Sequence, residues 1–263
     1  MVMGVVNVTP DSFTDGGIFL DRQAAIDQSV RMMEEGADII DIGGESTRPG
    51  AQSVTEAEEL SRVLPVIEGL AGRLKIPLSI DTQKASVAEA AIKAGASIVN
   101  DVGAAHSGDR MWELLARTGA GYVAMHMQGT PVTMQTNPVY ANVVAELRQF
   151  FQDRLEKLHH AGVASEQVIL DVGIGFGKSL KHNLELLAGT GNFNSLGRPL
   201  LLGLSRKSFV SKLLGVRVEE RLPAVLAATV CTQLAGARIF RTHDVAATVQ
   251  ALRMTEAIGS STK

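Results

Sequence analysis

Hydrophobic and polar positions follow two alternating regimes along this chain. Short, almost unbroken apolar runs end in a polar residue, pass through a loop, and give way to stretches with apolar positions three and four apart. The runs cover 2–8, 37–42, 77–81, 97–101, 121–126, 167–171, 199–205 and 238–242. Runs this continuous predict strands of a parallel sheet covered on both faces. Helices are predicted over 21–35, from 55 onward, and over 84–94, 110–118, 143–161, 219–235 and 244–258. Thr55-Glu56-Ala57-Glu58 is a capping-box-like start, and Gly36, Gly95, Gly119, Gly162 and Gly236 are stops. A Gly–Ala joint between helix and strand recurs at 36–37, 95–96 and 236–237. About eight strand–helix units predict an α/β fold, a (β/α)₈ TIM barrel, with an open doubly wound sheet as the alternative. No linker or shift of composition divides the chain, so residues 1–263 are expected to form a single domain.

Composition narrows the function classes. Hydrophobic residues make up 45% of the 263 and charged residues 20%, enough apolar material for a large core. A net charge of -3 gives no basic footprint for nucleic acid. Cys231 is the sole cysteine, and its neighbours Ala227-Ala228-Thr229-Val230 predict a core thiol on a buried helix face. No run approaches membrane-spanning length and no basic signal-peptide start is present, so a soluble, cytoplasmic protein without a membrane partner is expected.

In a barrel of this kind the loops after the strands build the active site. The polar residues at those ends are Asn7, Asp41, Asp81, Asn100 with Asp101, His126, Asp171, Lys207, and Arg241 with His243. One such residue alone is most simply a cap or a loop anchor; nearly every strand ending this way points to a ligand. Asp81, Asn100, Asp171 and Lys207 offer two carboxylates, an amide and a cation, which suit a planar heterocycle with adjacent donors and acceptors. Arg241 and His243 precede a predicted helix N-terminus beside the last strand, a common place for phosphate. His126 is expected to anchor a loop. None of the six histidines has zinc-site spacing.

The stretch Asp171-Val172-Gly173-Ile174-Gly175-Phe176-Gly177-Lys178-Ser179 looks like a phosphate loop but is not one. A P-loop would need glycine at position 172, which is Val172, and the glycines at 173, 175 and 177 miss the dinucleotide spacing. Two further loops, 7–17 and 43–51, mix glycine, proline, hydroxyls and charge, the composition of segments that close over a ligand.

Taken in order, MGVVNVTPDSFTDGG, IDIGGESTRPGA, SIDT, NDV, MHMQGTP, DVGIGFGK, LGLSRKSF and RTHDV resemble the motifs of the dihydropteroate synthases, essentially end to end. The resemblance implies a TIM-barrel transferase of folate biosynthesis, commonly a homodimer. It would join 6-hydroxymethyl-7,8-dihydropterin diphosphate to 4-aminobenzoate, releasing diphosphate and 7,8-dihydropteroate. By the same resemblance Asp81, Asn100, Asp171 and Lys207 bind the pterin. Asn7, Thr47, Arg48, Arg241 and His243 face the diphosphate, and Asn7 is the protein ligand of Mg²⁺. Phe13, Pro49, Phe176, Lys207 and Ser208 surround aminobenzoate, and sulfonamides compete there. An SN1-like reaction is implied, in which Arg48, Arg241 and Lys207 act with Asp81. Two departures stand out: Val172 replaces a more usual proline, which is expected to loosen the turn after Asp171, and Thr242 replaces an aliphatic residue, expected to be neutral. A methyltetrahydrofolate-type methyltransferase domain and an idle pterin-binding barrel are the rival readings.

Overall fold

The computed structural model describes residues 1–9, 17–47, 50–104 and 108–261. Phe13, Arg48 and Pro49 therefore lie outside the described residues. Eight parallel strands close on themselves: β1 (Val2–Asn7), β2 (Ile39–Gly43), β3 (Leu78–Asp81), β4 (Ile98–Asp101), β5 (Gly121–Met125), β6 (Val168–Asp171), β7 (Leu200–Gly203) and β8 (Ile239–Thr242). Each pairs with its successor, and β8 returns to β1 with Arg241 opposite Met3. Between and after them run α1 (Gly17–Glu34), α2 (Glu56–Leu70), α3 (Ala85–Ala94), α4 (Asp109–Thr118), α5 (Val143–His160), α6 (Leu180–Ala188), α7 (Ser208–Leu214), α8 (Leu222–Leu234) and α9 (Val245–Ser260). The TIM barrel expected from the apolar runs is the fold.

The pleat sorts side chains into two cores. Ile40, Ile42, Leu78, Ile80, Leu170 and Leu202 pack outward with helix residues such as Val63 and Leu147. Alternate residues Met3, Ile39, Val123, Leu201 and Ile239, with Ile98 and Ile169, form a separate apolar layer inside the barrel. Since side chains alternate faces along a strand, the residues two steps further face the same interior. Those residues include Asp41, Asn100, Asp171 and Arg241, so an apolar layer carries a polar one at the C-terminal strand ends.

Local chemistry explains the boundaries. Thr55 Oγ1 accepts the Glu58 N–H at 3.2 Å and caps α2, as its sequence implies. The three Gly–Ala joints are one device used three times. Gly36, Gly95 and Gly236 take φ of 99°, 122° and 114°. The following Ala37, Ala96 and Ala237 each donate to a carbonyl five residues back, at 2.9–3.0 Å. This six-to-one bond closes a helix only where the joint residue bears no Cβ penalty.

Three expectations need correction. The helix foreseen over 219–235 is a 3-10 turn at Val218–Glu220 followed by α8, because Pro223 lacks an N–H and is accommodated in a first turn. The short α7 was not foreseen. Cys231 is exposed rather than a core thiol. α8 is apolar nearly all round, and the face it buries is Val225, Thr229 and Thr232, which excludes Cys231.

Candidate active site

Asp41 organises the polar layer. Fully buried on β2, its Oδ2 accepts from Arg241 Nε at 2.7 Å and from Asn100 Nδ2 at 2.9 Å. Arg241 also donates from a terminal nitrogen to Asp81 Oδ2 at 2.8 Å. Burial works against the guanidinium charge, but Asp41 and Asp81 more than offset it and raise its pKa further. Asp81 goes the other way: burial pushes it up to about 7, against the pull of Arg241 and with the repulsion of Asp41. The short ion pair and the raised pKa are compatible, because one guanidinium serves two desolvated carboxylates. Asp81 and Asn100 are register partners on β3 and β4. Gly43 lies opposite both Asn7 and Asp81, and a Cβ there would come 3.4 Å from Asp81 Cβ and 3.6 Å from Asn7 Oδ1. Glycine at this position keeps space open above the carboxylates.

Asp171 closes β6 across the barrel mouth. Burial raises its pKa, while the Gly173 N–H, donated to Oδ1 at 2.8 Å, and the charges of Lys207, Arg241 and Lys178 pull it down. That bond spans the turn after Asp171, and Val172 within it packs in the outer core. Lys207 Nζ stands 3.9 Å from the centroid of the Phe176 ring, and burial brings its pKa down to about 8 although Asp171 opposes this. Arg206, just before it, has φ 59°, a strained conformation for a residue with a side chain, and Arg221 donates to its carbonyl at 2.6 Å. Ser208 is exposed at the start of α7.

The glycine-rich loop owes its composition to close packing. Gly173, Gly175 and Gly177 have φ of 65°, 83° and 60°. A Cβ on Gly173 would fall 2.1 Å from His126 O, and one on Gly177 2.6 Å from Gln128 O. Lys178, read from sequence only as part of a failed phosphate motif, is buried as the loop's internal clamp. Its Nζ reaches Phe176 O at 2.9 Å, His126 O at 3.3 Å and His126 Nδ1 at 3.2 Å. Burial lowers its pKa to about 7. Asn183 on α6, also missed, accepts the Gly175 N–H at 2.7 Å. The hint for both was the length of polar sequence immediately after a glycine-rich turn, but their burial depends on β5 and β6 lying side by side.

His126 is the anchor expected of it. It is packed edge-on to Phe150 at 4.8 Å, and burial first, then Lys178, lowers its pKa to about 3. The folded protein thus binds this proton more weakly than the unfolded chain does. The resulting stabilisation is complete above about pH 6.5 and is lost as the pH falls toward 3. His126→Gln keeps an acceptor for Lys178 but does not titrate. Its urea midpoint should drop less than the wild type's between about pH 7 and 4; equal drops would contradict this role.

Just past β8, His243 lies beside Ser205, whose Oγ is 3.0 Å from Nδ1 and accepts the His243 N–H at 3.3 Å. Thr242 Oγ1 accepts from the Asp244 N–H at 3.1 Å and from Thr248 Oγ1 at 3.3 Å, two bonds to the start of α9 that an aliphatic residue would not make. Thr47 follows β2 on a loop whose root is fastened twice. Arg62 donates to Gly44 O at 2.7 Å, and Lys84 bridges Glu45 and, at 2.5 Å, Glu59. Burial lowers the Lys84 pKa, but those two carboxylates outweigh it and leave the value raised.

The structure therefore brings Asn7, Asp81, Asn100, Asp171, Phe176, Lys207, Arg241 and His243 to one end of the barrel, with Asp41 beneath them. A barrel that gathers two carboxylates, two amides and cations there offers the donors and acceptors that a polar heterocycle carrying an anion would use. The family model described as pterin binding enzyme matches residues 3–243, which makes the chain a pterin-binding enzyme. The dihydropteroate synthase of Escherichia coli is 46% identical over 256 residues, covering 97% of this chain and 90% of that protein. That of Synechocystis is 45% identical over 258 residues, covering 98% and 89%. The crystal structure of Yersinia pestis dihydropteroate synthase in a sulfonamide drug complex superposes with a TM-score of 0.93 at 45% identity, covering 99% of this chain and 94% of that one. Xanthomonas albilineans dihydropteroate synthase with 4-aminobenzoic acid gives 0.92 at 44%, covering 98% and 92%. The chain belongs to the dihydropteroate synthases.

Proposed function

We propose that the chain condenses 6-hydroxymethyl-7,8-dihydropterin diphosphate with 4-aminobenzoate, giving 7,8-dihydropteroate and diphosphate. The observation that carries this is the convergence of Asp81, Asn100, Asp171 and Lys207 at the strand ends, above an apolar layer that excludes water from below. The free Asp171 oxygen takes the amino and ring N–H groups of the pterin edge, Asn100 both donates and accepts, and Lys207 donates to the pterin carbonyl and a ring nitrogen. Arg241 commits two of its five donors to Asp41 and Asp81, which leaves a fixed cation facing the diphosphate with His243, Thr47 and Arg48.

In the reaction the methylene C–O bond breaks and its electron pair leaves with diphosphate. The cation left behind is delocalised into the electron-rich ring, and Asp81 beside the ring stabilises it. The aminobenzoate nitrogen then forms the C–N bond and loses its proton, so no protein nucleophile is required. Phe13, Pro49 and Phe176 supply flat walls for the aromatic ring, with Lys207 and Ser208 at its polar rim.

No group of three or more His, Cys, Asp or Glu suited to a metal is present among the described residues. The single amide oxygen of Asn7, across from Gly43 at the mouth, fits a hard cation only if the substrate's oxygens and water complete its shell. We assign Mg²⁺ to that place, where it would offset the charge of the departing diphosphate. The protein is proposed to act as a homodimer. Leu234 on α8 and Met254 and Ile258 on α9 are 71%, 63% and 62% exposed, on helices joined by Gln233 Nε2 to Glu256 Oε1 at 3.3 Å. A second copy of the chain covers this face in the proposal; sedimentation of a monomer at micromolar concentration would exclude it. The helices of the described residues include none long and apolar enough to cross a membrane, and a cytoplasmic location remains part of the proposal.

Turnover is tested by diphosphate release. Release should require the pterin diphosphate, aminobenzoate and Mg²⁺ together for sustained product, and a sulfonamide should compete with aminobenzoate. Methyl transfer from a methylated pterin, without diphosphate release, would favour the methyltransferase reading instead.

A further inference from the structure

The segment between β5 and α5 contributes no group to the proposed chemistry, yet it touches both arms of the aminobenzoate pocket. On one side Pro131 O accepts the Gly50 N–H at 3.0 Å, at the far end of the loop that follows β2. On the other side Gln135 Nε2 donates to Gly175 O at 2.7 Å, and Tyr140 Oη donates to Gly177 O at 2.9 Å. Met134, 3% exposed, joins Val102, Met125 and Met127 in the apolar cluster on which Phe176 rests. The segment is braced internally, since Gln128 exchanges two bonds of 3.2 Å with the Val139 backbone.

These contacts fix the orientation of Phe176. The peptide plane ahead of it is held at both ends: Gln135 takes Gly175 O, and the Phe176 N–H donates to Gly173 O at 3.0 Å. The plane after it is held by Lys178 Nζ on Phe176 O. With both planes set, the Cα–Cβ direction is set, and the ring it carries is bracketed by the methionine cluster and Lys207 Nζ. Of these restraints, only the one from Gln135 comes from an exposed side chain.

We infer that residues 128–140 are the positioning element of the second-substrate pocket, with Gln135 the positioning residue that aims Phe176. This rests on the reading that Phe176 borders aminobenzoate. The element bonds to Gly50 in the loop after β2 and to Gly175 and Gly177 in the loop after β6.

Gln135→Leu removes the donor at an exposed position, where the fold tolerates substitution. The KM for aminobenzoate should rise about 3- to 10-fold, the range for one lost hydrogen bond. The kcat and the KM for the pterin diphosphate should change less than this, because Asp171 and Asn100 keep their pterin contacts and only Lys207, which rests on the Phe176 ring, can shift. Gln135→Lys, which retains a donor for Gly175 O, should restore most of the loss. An unchanged aminobenzoate KM overturns the inference, as does an equal rise for both substrates or no difference between the two variants. A wild-type protein that releases diphosphate yet forms no dihydropteroate overturns the reading of the pocket and the inference with it.

Discussion

Asp171→Asn should weaken binding of the pterin diphosphate by roughly 10- to 150-fold, the loss associated with about 1.5–3 kcal/mol for a charged hydrogen bond. The asparagine variant separates two functions of one side chain. Its Oδ1 can still accept the Gly173 N–H that closes the turn at 2.8 Å. Its amide nitrogen, however, would point donors at the pterin's own N–H groups. Asp171→Ala should lose both functions and bind at least as weakly. Calorimetry on the folded variants decides: if Asp171→Asn binds like the wild type, the carboxylate serves the loop alone and Asp171 leaves the pterin site.

Asp41→Ala should lower the stability of the protein by about 3 kcal/mol, the low end for breaking a buried ion pair. The low end applies because Arg241 keeps Asp81, 2.8 Å away, while the Asn100 amide loses its partner outright. Turnover should fall further than the folded fraction alone explains, since Arg241 Nε is no longer held. Urea denaturation measures the first effect, and activity per folded molecule the second. A midpoint matching the wild type would show that the Asp41–Arg241–Asn100 network does not hold the barrel mouth together.

Much of this was legible in the sequence for a definite reason. Parallel strands covered on both faces read as unbroken apolar runs, and a barrel places its chemistry where those runs stop. Asp81, Asn100, Asp171 and Arg241 are each the last or near-last residue of a run, and the structure places them together. The sequence marks Asp41 as a strand-end residue but shows no task for it. Its importance lies in the parity of the pleat, which points it inward beneath Arg241, and parity follows from register with β1 and β3 rather than from the run itself. The roles of Lys178 and Asn183 are not legible in the sequence: Lys178 is buried against His126, 52 residues away on the neighbouring strand's loop, and Asn183 meets the Gly175 N–H only once the loop has folded back on the start of α6. Cys231 is exposed against expectation because α8 is apolar nearly all round, so composition does not say which face meets the barrel. The assignments for Phe13, Arg48 and Pro49 fall outside the described residues and rest on the resemblance of their motifs alone.

The central claim is that the polar layer at the strand ends holds a pterin. A crystal structure of the protein with 6-hydroxymethyl-7,8-dihydropterin diphosphate and Mg²⁺ tests it most directly. The account expects the amino and ring N–H edge of the pterin within about 2.7–3.2 Å of Asp171, with Asn100 and Lys207 Nζ on its other polar atoms and the diphosphate against Arg241 and His243. A pterin bound away from Asp171, with the barrel mouth still occupied only by the Asp41–Arg241–Asp81 network, would contradict it.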